Sequence, residues 1–172
     1  MIRYLFFLIV LPLITACGSD KEGEKYSKIY PERKSKVDSI IDSSFSIDQF
    51  MLGQENGIEL VATFLSSPLK DSSSSKAILY IHGFGDYFFQ THLASFYHQL
   101  GYNFYALDLR RAGRSLKDNM RNNYTADLTE YFQEIDSAVS RIKLSNEHLV
   151  INAHSQGGLI ASLYANEKGE QD

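Results

Sequence analysis

The sequence predicts an α/β fold in which a mainly parallel sheet is covered by helices on both faces. From residue 45 onward, short apolar runs alternate with longer segments whose apolar residues recur at helical spacing. Two of the runs, residues 77–81 and 148–152, pass directly into turns that contain glycine. Continuous apolar runs are typical of strands buried on both faces of a parallel sheet, and their alternation with helices implies right-handed βαβ units.

The first half of the domain is predicted to hold three strands and one helix. Residues 45–52 and 58–65 are apolar-rich, and a turn-like segment with Gly53 and Gly57 joins them, which favours an antiparallel pair. The run at 77–81 is the third strand. The helix that follows has apolar residues at helical spacing and ends at a glycine: Phe89, Leu93, Phe96, Tyr97, Leu100 and then Gly101.

The second half is predicted to hold two further strands, residues 103–108 and 148–152, each followed by a helix. The clearest helical pattern in the chain lies between them, at Leu128, Phe132, Ile135, Val139 and Ile142. The last helix begins with Leu159, Ile160 and Leu163.

Size and charge allow one domain and give no sign of nucleic-acid binding. The chain has 172 residues, of which 44% are hydrophobic, so it can bury a real core. A net charge of −4 and a pI near 5.7 provide no electrostatic footprint for nucleic acid. The histidines are dispersed and lack the spacing of metal ligands, so we expect neither a metal nor a cofactor.

The N-terminal segment predicts export with a lipid anchor. Residues 1–16 combine Arg3, an apolar centre and small residues before Cys17, which is the pattern of a secretory signal peptide. The four residues that end at Cys17 resemble the bacterial lipobox, so acyl chains on this single cysteine would hold the protein at a bacterial cell membrane. An uncleaved anchor or an ordinary signal peptide is the alternative. Residues 17–44 are then a polar tether, and the domain runs from 45 to 172.

Ser155 lies in a pattern typical of a catalytic nucleophile. The strand 148–152 leads into residues 153–158, Ala-His-Ser-Gln-Gly-Gly, and then a helix begins. This is the nucleophile-elbow motif G-x-S-x-G with Ala153 in place of the first glycine. Residues near such a sharp turn must be small, and Gly157 and Gly158 meet this need. The alternative is that Ser155 only caps the helix.

A second glycine-flanked loop predicts an oxyanion hole. Gly83, Phe84 and Gly85 follow the buried strand at 77–81. Ester and amide hydrolysis needs two backbone N–H donors for the negatively charged oxygen of the intermediate. The expected donors are the N–H of Phe84 and the N–H of Gln156, which follows the nucleophile.

Three segments in this order resemble the α/β-hydrolases of the serine aminopeptidase, monoacylglycerol lipase and lysophospholipase group. They are residues 80–85 (YIHGFG), 105–115 (YALDLRRAGRS) and 153–158 (AHSQGG). The resemblance extends from residue 45 to the C-terminus. It implies the α/β-hydrolase fold and a serine hydrolase whose substrate is a small carboxylic ester or acyl lipid, with peptides as a further option.

The middle segment carries charged residues that we interpret as structural. Asp108, Arg110 and Arg114 are expected to brace loops near the site, with a clamp for a substrate carboxylate as the alternative. Arg111 stands where the family has a glycine, which puts the shape of this loop in question.

The residues that would activate Ser155 are missing from the predicted site. In this fold the chain order is Ser, then Asp or Glu, then His, whereas all five histidines here precede Ser155. His82 is expected to shape the oxyanion loop, and the side chain of His154 is expected to point away from Ser155. We therefore expect a domain truncated after the elbow helix, inactive alone, with an exposed apolar edge at residues 149–152.

Two other interpretations compete with the hydrolase. The first is a non-catalytic surface lipoprotein whose hydrolase-like fold binds a partner. The second is a dinucleotide-binding unit, with the glycines around Phe84 at the pyrophosphate and Asp108 at the ribose. The second leaves Ser155 unexplained and puts the bulky Phe88 at the third glycine position.

Overall fold

The computed structural model describes residue 41, residues 43–70 and residues 73–169. The strands in this part of the chain are β1 (Ser46–Glu55), β2 (Ile58–Ser67), β3 (Lys76–Ile81), β4 (Asn103–Asp108) and β5 (His148–Ala153). The helices are α1 (Thr91–Gln99), α2 (Phe132–Lys143) and α3 (Gln156–Gly169), and short 3₁₀ turns span Gly113–Ser115 and Leu128–Tyr131. None of these helices is long and apolar enough to cross a bilayer. The signal peptide, Cys17 and most of the tether lie outside the described residues.

The five strands form one mixed sheet in the order β1-β2-β4-β3-β5. β3 is parallel to β4 and β5, whereas β2 is antiparallel to both β1 and β4. β2 is therefore the strand that runs against the others. The predicted α/β fold is confirmed, and β5, which pairs with β3 alone among the described strands, lies at the predicted edge.

Helices cover both faces of the sheet, and each face has its own core. On one face, α2 and α3 pack against the sheet through residues such as Ile135, Ile142 and Ile160, which are at most 1% exposed. On the other face, α1 packs through Ala94, and the fully buried Phe88 and Phe104 fill the space beneath it. The loops that carry the predicted site residues follow the carboxyl ends of β3, β4 and β5, which parallel pairing brings to one end of the sheet.

The first hairpin turns more tightly than the sequence suggests. The strands extend through most of the expected five-residue turn, so that only Asn56 and Gly57 connect them. Their φ angles of 50° and 77° are the left-handed values of a two-residue hairpin turn. Gly53, with φ of 111°, lies at a β-bulge where the register shifts.

Helix α1 departs from the predicted pattern. Ala94 is its buried residue, while Phe96 and Leu100 are 52% and 53% exposed. The sequence does not decide which face of α1 is buried, because two pairs of apolar residues are each four residues apart. Leu93 and Tyr97 lie on one face, and Phe96 and Leu100 lie on another. Leu93 and Tyr97 are the pair that packs on the core.

One residue of the predicted tether belongs to the core. Ile41, inside the segment 17–44, is 9% exposed and belongs to the core beneath α1. Phe45 packs against the same core, with its ring 5.5 Å from that of Phe88. The core beneath α1 therefore includes Ile41 as well as residues from 45 onward.

Candidate active site

Ser155 occupies a sharp turn between β5 and α3. β5 ends at Ala153 and α3 begins at Gln156, so two residues make the whole connection. Ser155 has a φ of 51°, a left-handed value that a non-glycine residue adopts at a cost of about 1–3 kcal/mol. A residue that only caps a helix has extended backbone instead. The side chain of Ser155 is exposed, as a nucleophile requires.

The turn is possible because Gly157 lets α3 pack directly on the end of β3. A Cβ added at Gly157 would lie 2.3 Å from the His82 carbonyl oxygen and 2.7 Å from that of Ile81. No side chain fits in that space. Gly158 differs from the expectation, because its nearest contact would be an ordinary 3.9 Å to the Ala153 oxygen. The elbow therefore requires one glycine, not two.

The predicted oxyanion loop lies beside Ser155. A Cβ added at Gly83 would be 3.1 Å from the Cβ of Ser155 and 3.0 Å from Nδ1 of His154, so the loop after β3 packs closely against the turn that carries Ser155. Gly85 adopts a φ of 70° and completes the turn. Phe84, between the two glycines, has a side chain that is 68% exposed.

The N–H of Gln156 points out of the start of α3. It is the first residue of the helix, and N–H groups in the first turn of a helix have no acceptor within it. The helix dipole adds partial positive charge at the same place. The two residues predicted to supply N–H donors thus belong to segments that meet at Ser155.

His82 holds the loop after β3 in place. Its side chain is buried, at 1% exposure, and Nε2 accepts a 3.0 Å hydrogen bond from the N–H of Leu109. Nδ1 therefore carries the proton and donates to the Gly83 carbonyl oxygen at 2.7 Å. Because both ring nitrogens are occupied, His82 ties the loop after β3 to the loop after β4 and is not free to act as a base.

No histidine is hydrogen-bonded to Ser155 within the described part of the chain. His154 is exposed, and its ring lies against Gly83. His98 is 2.7 Å from the Ser67 oxygen through Nε2, at the opposite end of the sheet. His92 and His148 are exposed, the first on α1 and the second at the start of β5.

Asp108 and Arg114 fix the far end of the loop after β3, at Phe88. Asp108 is fully buried and accepts hydrogen bonds from the N–H of Phe88 at 2.8 Å and from Nη1 of Arg114 at 2.8 Å. Arg114 also donates to the Phe88 carbonyl oxygen at 3.0 Å. Gly113 lies underneath, where a Cβ would approach the Cβ of Tyr87 to 2.3 Å. These contacts support the structural interpretation, and they leave Asp108 unavailable for the ribose of a dinucleotide.

Arg110 is paired with a glutamate that the sequence did not single out. Nε and Nη2 of Arg110 contact the carboxylate of Glu134 at 2.6–3.0 Å, and both side chains are buried. Burial raises the pKa of Glu134, while the hydrogen bonds from Arg110 oppose the rise. The one feature of the sequence that could have indicated this pair is that Glu134 is an acidic residue next to the apolar face of α2.

Arg111 keeps the backbone conformation that a glycine would adopt there. Its φ is 61°, which explains why the family pattern has glycine at this position. The guanidinium contacts Glu55 of β1 at 2.9 Å and Glu130 before α2 at 3.1 Å. Two ion pairs therefore hold Arg111 in this left-handed conformation in the loop after β4.

Comparisons with known proteins identify the family and the fold. A family model described as serine aminopeptidase, S33, matches residues 72–171. No curated protein matches the sequence significantly.

Solved structures of α/β-hydrolases share the fold. A probable hydrolytic enzyme from Pseudomonas aeruginosa is 20% identical with a TM-score of 0.60. The match covers 76% of this chain and 40% of that enzyme. A monoglyceride lipase from Saccharomyces cerevisiae, solved with a substrate analogue, is 24% identical with a TM-score of 0.53. The match covers 73% of this chain and 39% of the lipase. A carboxyl esterase from Bacillus coagulans, solved with glycerol, is 16% identical with a TM-score of 0.60. The match covers 74% of this chain and 42% of the esterase.

At these identities the structures establish the fold alone, and the chain spans about two fifths of their length. The family match covers more than half of this chain and contains the strained turn at Ser155. The chain belongs to the serine aminopeptidase S33 family of α/β-hydrolases.

Proposed function

We propose that Ser155 is the nucleophile of a serine hydrolase that acts on carboxylic esters or acyl lipids. The observation that carries the proposal is the left-handed φ of 51° at an exposed serine. Such strain persists where the surrounding structure enforces it, and here the contact between Gly157 and the end of β3 does so. The N–H groups of Phe84 and Gln156 would stabilise the oxyanion.

An apolar surface beside Ser155 favours an acyl group as the substrate. The side chain of Phe84 is 68% exposed, and the residue before it, Gly83, lies against Ser155. An acyl chain that covers this ring would gain about 25 cal/mol for each Å² of apolar area removed from water. A carbonyl carbon bound there would face Ser155, with its oxygen directed to the two amides.

The described residues lack a base that could activate Ser155. His82 is occupied at both nitrogens, and His154 lies against Gly83. We therefore expect this chain alone to hydrolyse esters very slowly. Exogenous imidazole should partly replace the missing base, because Ser155 is open to solvent.

A fluorophosphonate probe tests the assignment. We expect the probe to label Ser155 slowly, to label it faster in imidazole, and to leave the Ser155→Ala variant unlabelled, with the site mapped by mass spectrometry. Ser95→Ala is the matched control, because Ser95 is also an exposed serine on the fold but lies on α1.

The outcomes separate the alternatives. Labelling that is spread over several serines, or that survives Ser155→Ala, would reject Ser155 as the nucleophile and favour a non-catalytic binding module. Fast ester hydrolysis without imidazole, abolished by Ser155→Ala, would reject the inactivity of this chain alone.

We also propose that the protein is exported and anchored through acyl chains on Cys17. The support is the sequence of residues 1–17, with Arg3, an apolar centre and the only cysteine. Metabolic labelling with an alkyne-bearing fatty acid should tag the wild-type chain and fail with Cys17→Ser. Equal incorporation into both chains would rule out Cys17 as the acylation site.

A further inference from the structure

We propose that the imidazole of His154, in its protonated form, supplies positive charge to the oxyanion site beside Ser155. The inference rests on the proposed function of Ser155 as a nucleophile. His154 is the residue between the end of β5 and Ser155, and it is exposed. Its ring forms no hydrogen bond with Ser155 within the described part of the chain, so any effect on the reaction comes through its charge or its packing.

The backbone of His154 is fixed on both sides. Its N–H donates to the Ile81 carbonyl oxygen of β3 at 3.0 Å, and its carbonyl oxygen accepts from the N–H of Gly157 in α3 at 2.9 Å. These bonds tie the residue to the strand that precedes the loop with Phe84 and to the helix that begins with Gln156. His154 therefore lies between the two segments that carry the proposed oxyanion donors.

The ring of His154 lies against Gly83, the residue directly before Phe84. A Cβ added at Gly83 would be 3.0 Å from Nδ1 of the ring. Nδ1 is therefore at most about 4.5 Å from the Cα of Gly83, and at most about 7 Å from the nitrogen of Phe84, two covalent bonds farther along. Gly83 carries no side chain that would hold the ring at a greater distance.

A positive charge on this ring would not be neutralised within its own strand and helix. Residues 148–166, which form β5, the turn and most of α3, contain no Asp, Glu, Lys or Arg. The imidazole of His154 forms neither an ion pair nor a hydrogen bond with the described residues. Histidine is the side chain that ordinarily changes its charge between about pH 5 and 8, so mild conditions switch such a charge on and off.

The charged and titratable groups on the neighbouring loops act elsewhere. His82 uses both ring nitrogens in hydrogen bonds, and Asp108 is paired with an arginine. Asp86 is the one acid in the loop after β3, and its charge acts on Tyr80 in the core beneath α1. None of the three forms an ion pair with His154 among the described residues, so the charge of its ring is left to act on a negative oxygen bound beside the nucleophile.

Phenylboronic acid tests the charge without a general base. The Ser155 oxygen forms a bond to boron and releases its proton to the buffer, and boron becomes a tetrahedral anion like the intermediate of ester hydrolysis. The dissociation constant can be followed by boron NMR, and the adduct should be absent in Ser155→Ala.

The decisive comparison is with His154→Phe, which keeps a planar ring beside Gly83 but has no charge. Opposite charges about 7–10 Å apart at a solvent-exposed site change a dissociation constant about threefold. We expect the wild type to bind about three times more tightly than His154→Phe at about pH 5.5, and equally at about pH 8.5. The pH dependence of the boronic acid itself cancels in this ratio. About 1 M salt should remove the difference, because it screens the charge.

Two further variants serve as controls. His148 is also an exposed histidine of β5, but it lies at the opposite end of the strand, about 20 Å from His154. His148→Phe should therefore bind the boronic acid as the wild type does at both pH values. His154→Arg carries a permanent charge and should keep the tighter binding at both pH values.

The outcomes distinguish the two proposals. Equal dissociation constants for the wild type and His154→Phe at about pH 5.5 would overturn the role of the charge. A difference that persists at about pH 8.5 and in about 1 M salt would also overturn it, because packing of the ring would then be the cause. If the wild type forms no boron adduct, Ser155 is not the nucleophile, and this inference fails with the proposed function.

Discussion

The two glycines after Ser155 should respond oppositely to alanine. In Gly157→Ala the new Cβ would begin 2.3 Å from the His82 oxygen and 2.7 Å from the Ile81 oxygen. Both contacts are backbone atoms at the end of the buried strand β3, so no side chain can rotate away. The first turn of α3 must therefore move by about 1 Å, in an interior packed as densely as an organic crystal.

The expected loss follows from this displacement. Overpacking by one methyl group costs about 1–3 kcal/mol, and a backbone clash places Gly157→Ala near the upper value. The higher helix propensity of alanine returns up to about 1 kcal/mol. The net destabilisation is about 2 kcal/mol, or a fall in Tm of roughly 6–10 °C for a domain of this size.

Gly158→Ala is the matched control. Its nearest contact would be 3.9 Å, so only the propensity gain of up to about 1 kcal/mol remains. Urea unfolding followed by circular dichroism should show opposite shifts in midpoint with the same slope. If Gly157→Ala were as stable as the wild type, or if both variants lost stability equally, the contact between α3 and β3 could not be what forms the elbow.

Three further predictions concern strain, a buried ion pair and a buried tyrosine. Ser155→Gly should raise the free energy of unfolding by about 1 kcal/mol, because glycine adopts a φ of 51° without strain; a lower urea midpoint would contradict this. Arg110→Met should cost about 3–5 kcal/mol at neutral pH, because Glu134 is left buried without its partner. Since burial then raises the pKa of Glu134 unopposed, that loss should shrink as the pH falls and the acid becomes neutral, which Tm measured against pH would show. Burial, reinforced by Asp86, raises the pKa of Tyr80 from 10.0 to about 12, so the folded chain should lose stability as the pH rises from 10.0 through about 12. Subtracting the phenolate absorbance of Tyr80→Phe from that of the wild type isolates the titration of Tyr80, which should occur near pH 12. Titration of Tyr80 near pH 10.0 would refute the effect of burial.

The sequence predicts most elements of the fold because their patterns are local. The five strands and three helices lie at or within a few residues of the expected positions, since apolar runs and helical spacing depend on the residues themselves. The position of β2 between β1 and β4 was not predictable. It depends on which strand edges meet in space, and alternation along the chain carries no information about that.

In the candidate site too, local features were predicted from the sequence and contacts between distant residues were not. The motif around Ser155 predicts a turn that the structure contains, because a sharp strand-to-helix connection needs particular residues in a fixed order. The partners of the buried arginines were missed, since Glu55 and Glu130 are far from Arg111 along the chain and look like surface charges in the sequence. The outward direction of Phe96 was missed for a different reason, because two faces of α1 share one spacing.

The double attachment of Phe88 has a consequence for how a ligand could enter. Its amide is held by Asp108 at the end of β4, its carbonyl is held by Arg114 from the loop after β4, and its ring is fully enclosed. Upstream, the Gly83 carbonyl is fixed by an imidazole. Residues 84–87 lie between these two fixed points. A molecule that enters beside Ser155 would therefore move these four residues and leave α1 in place.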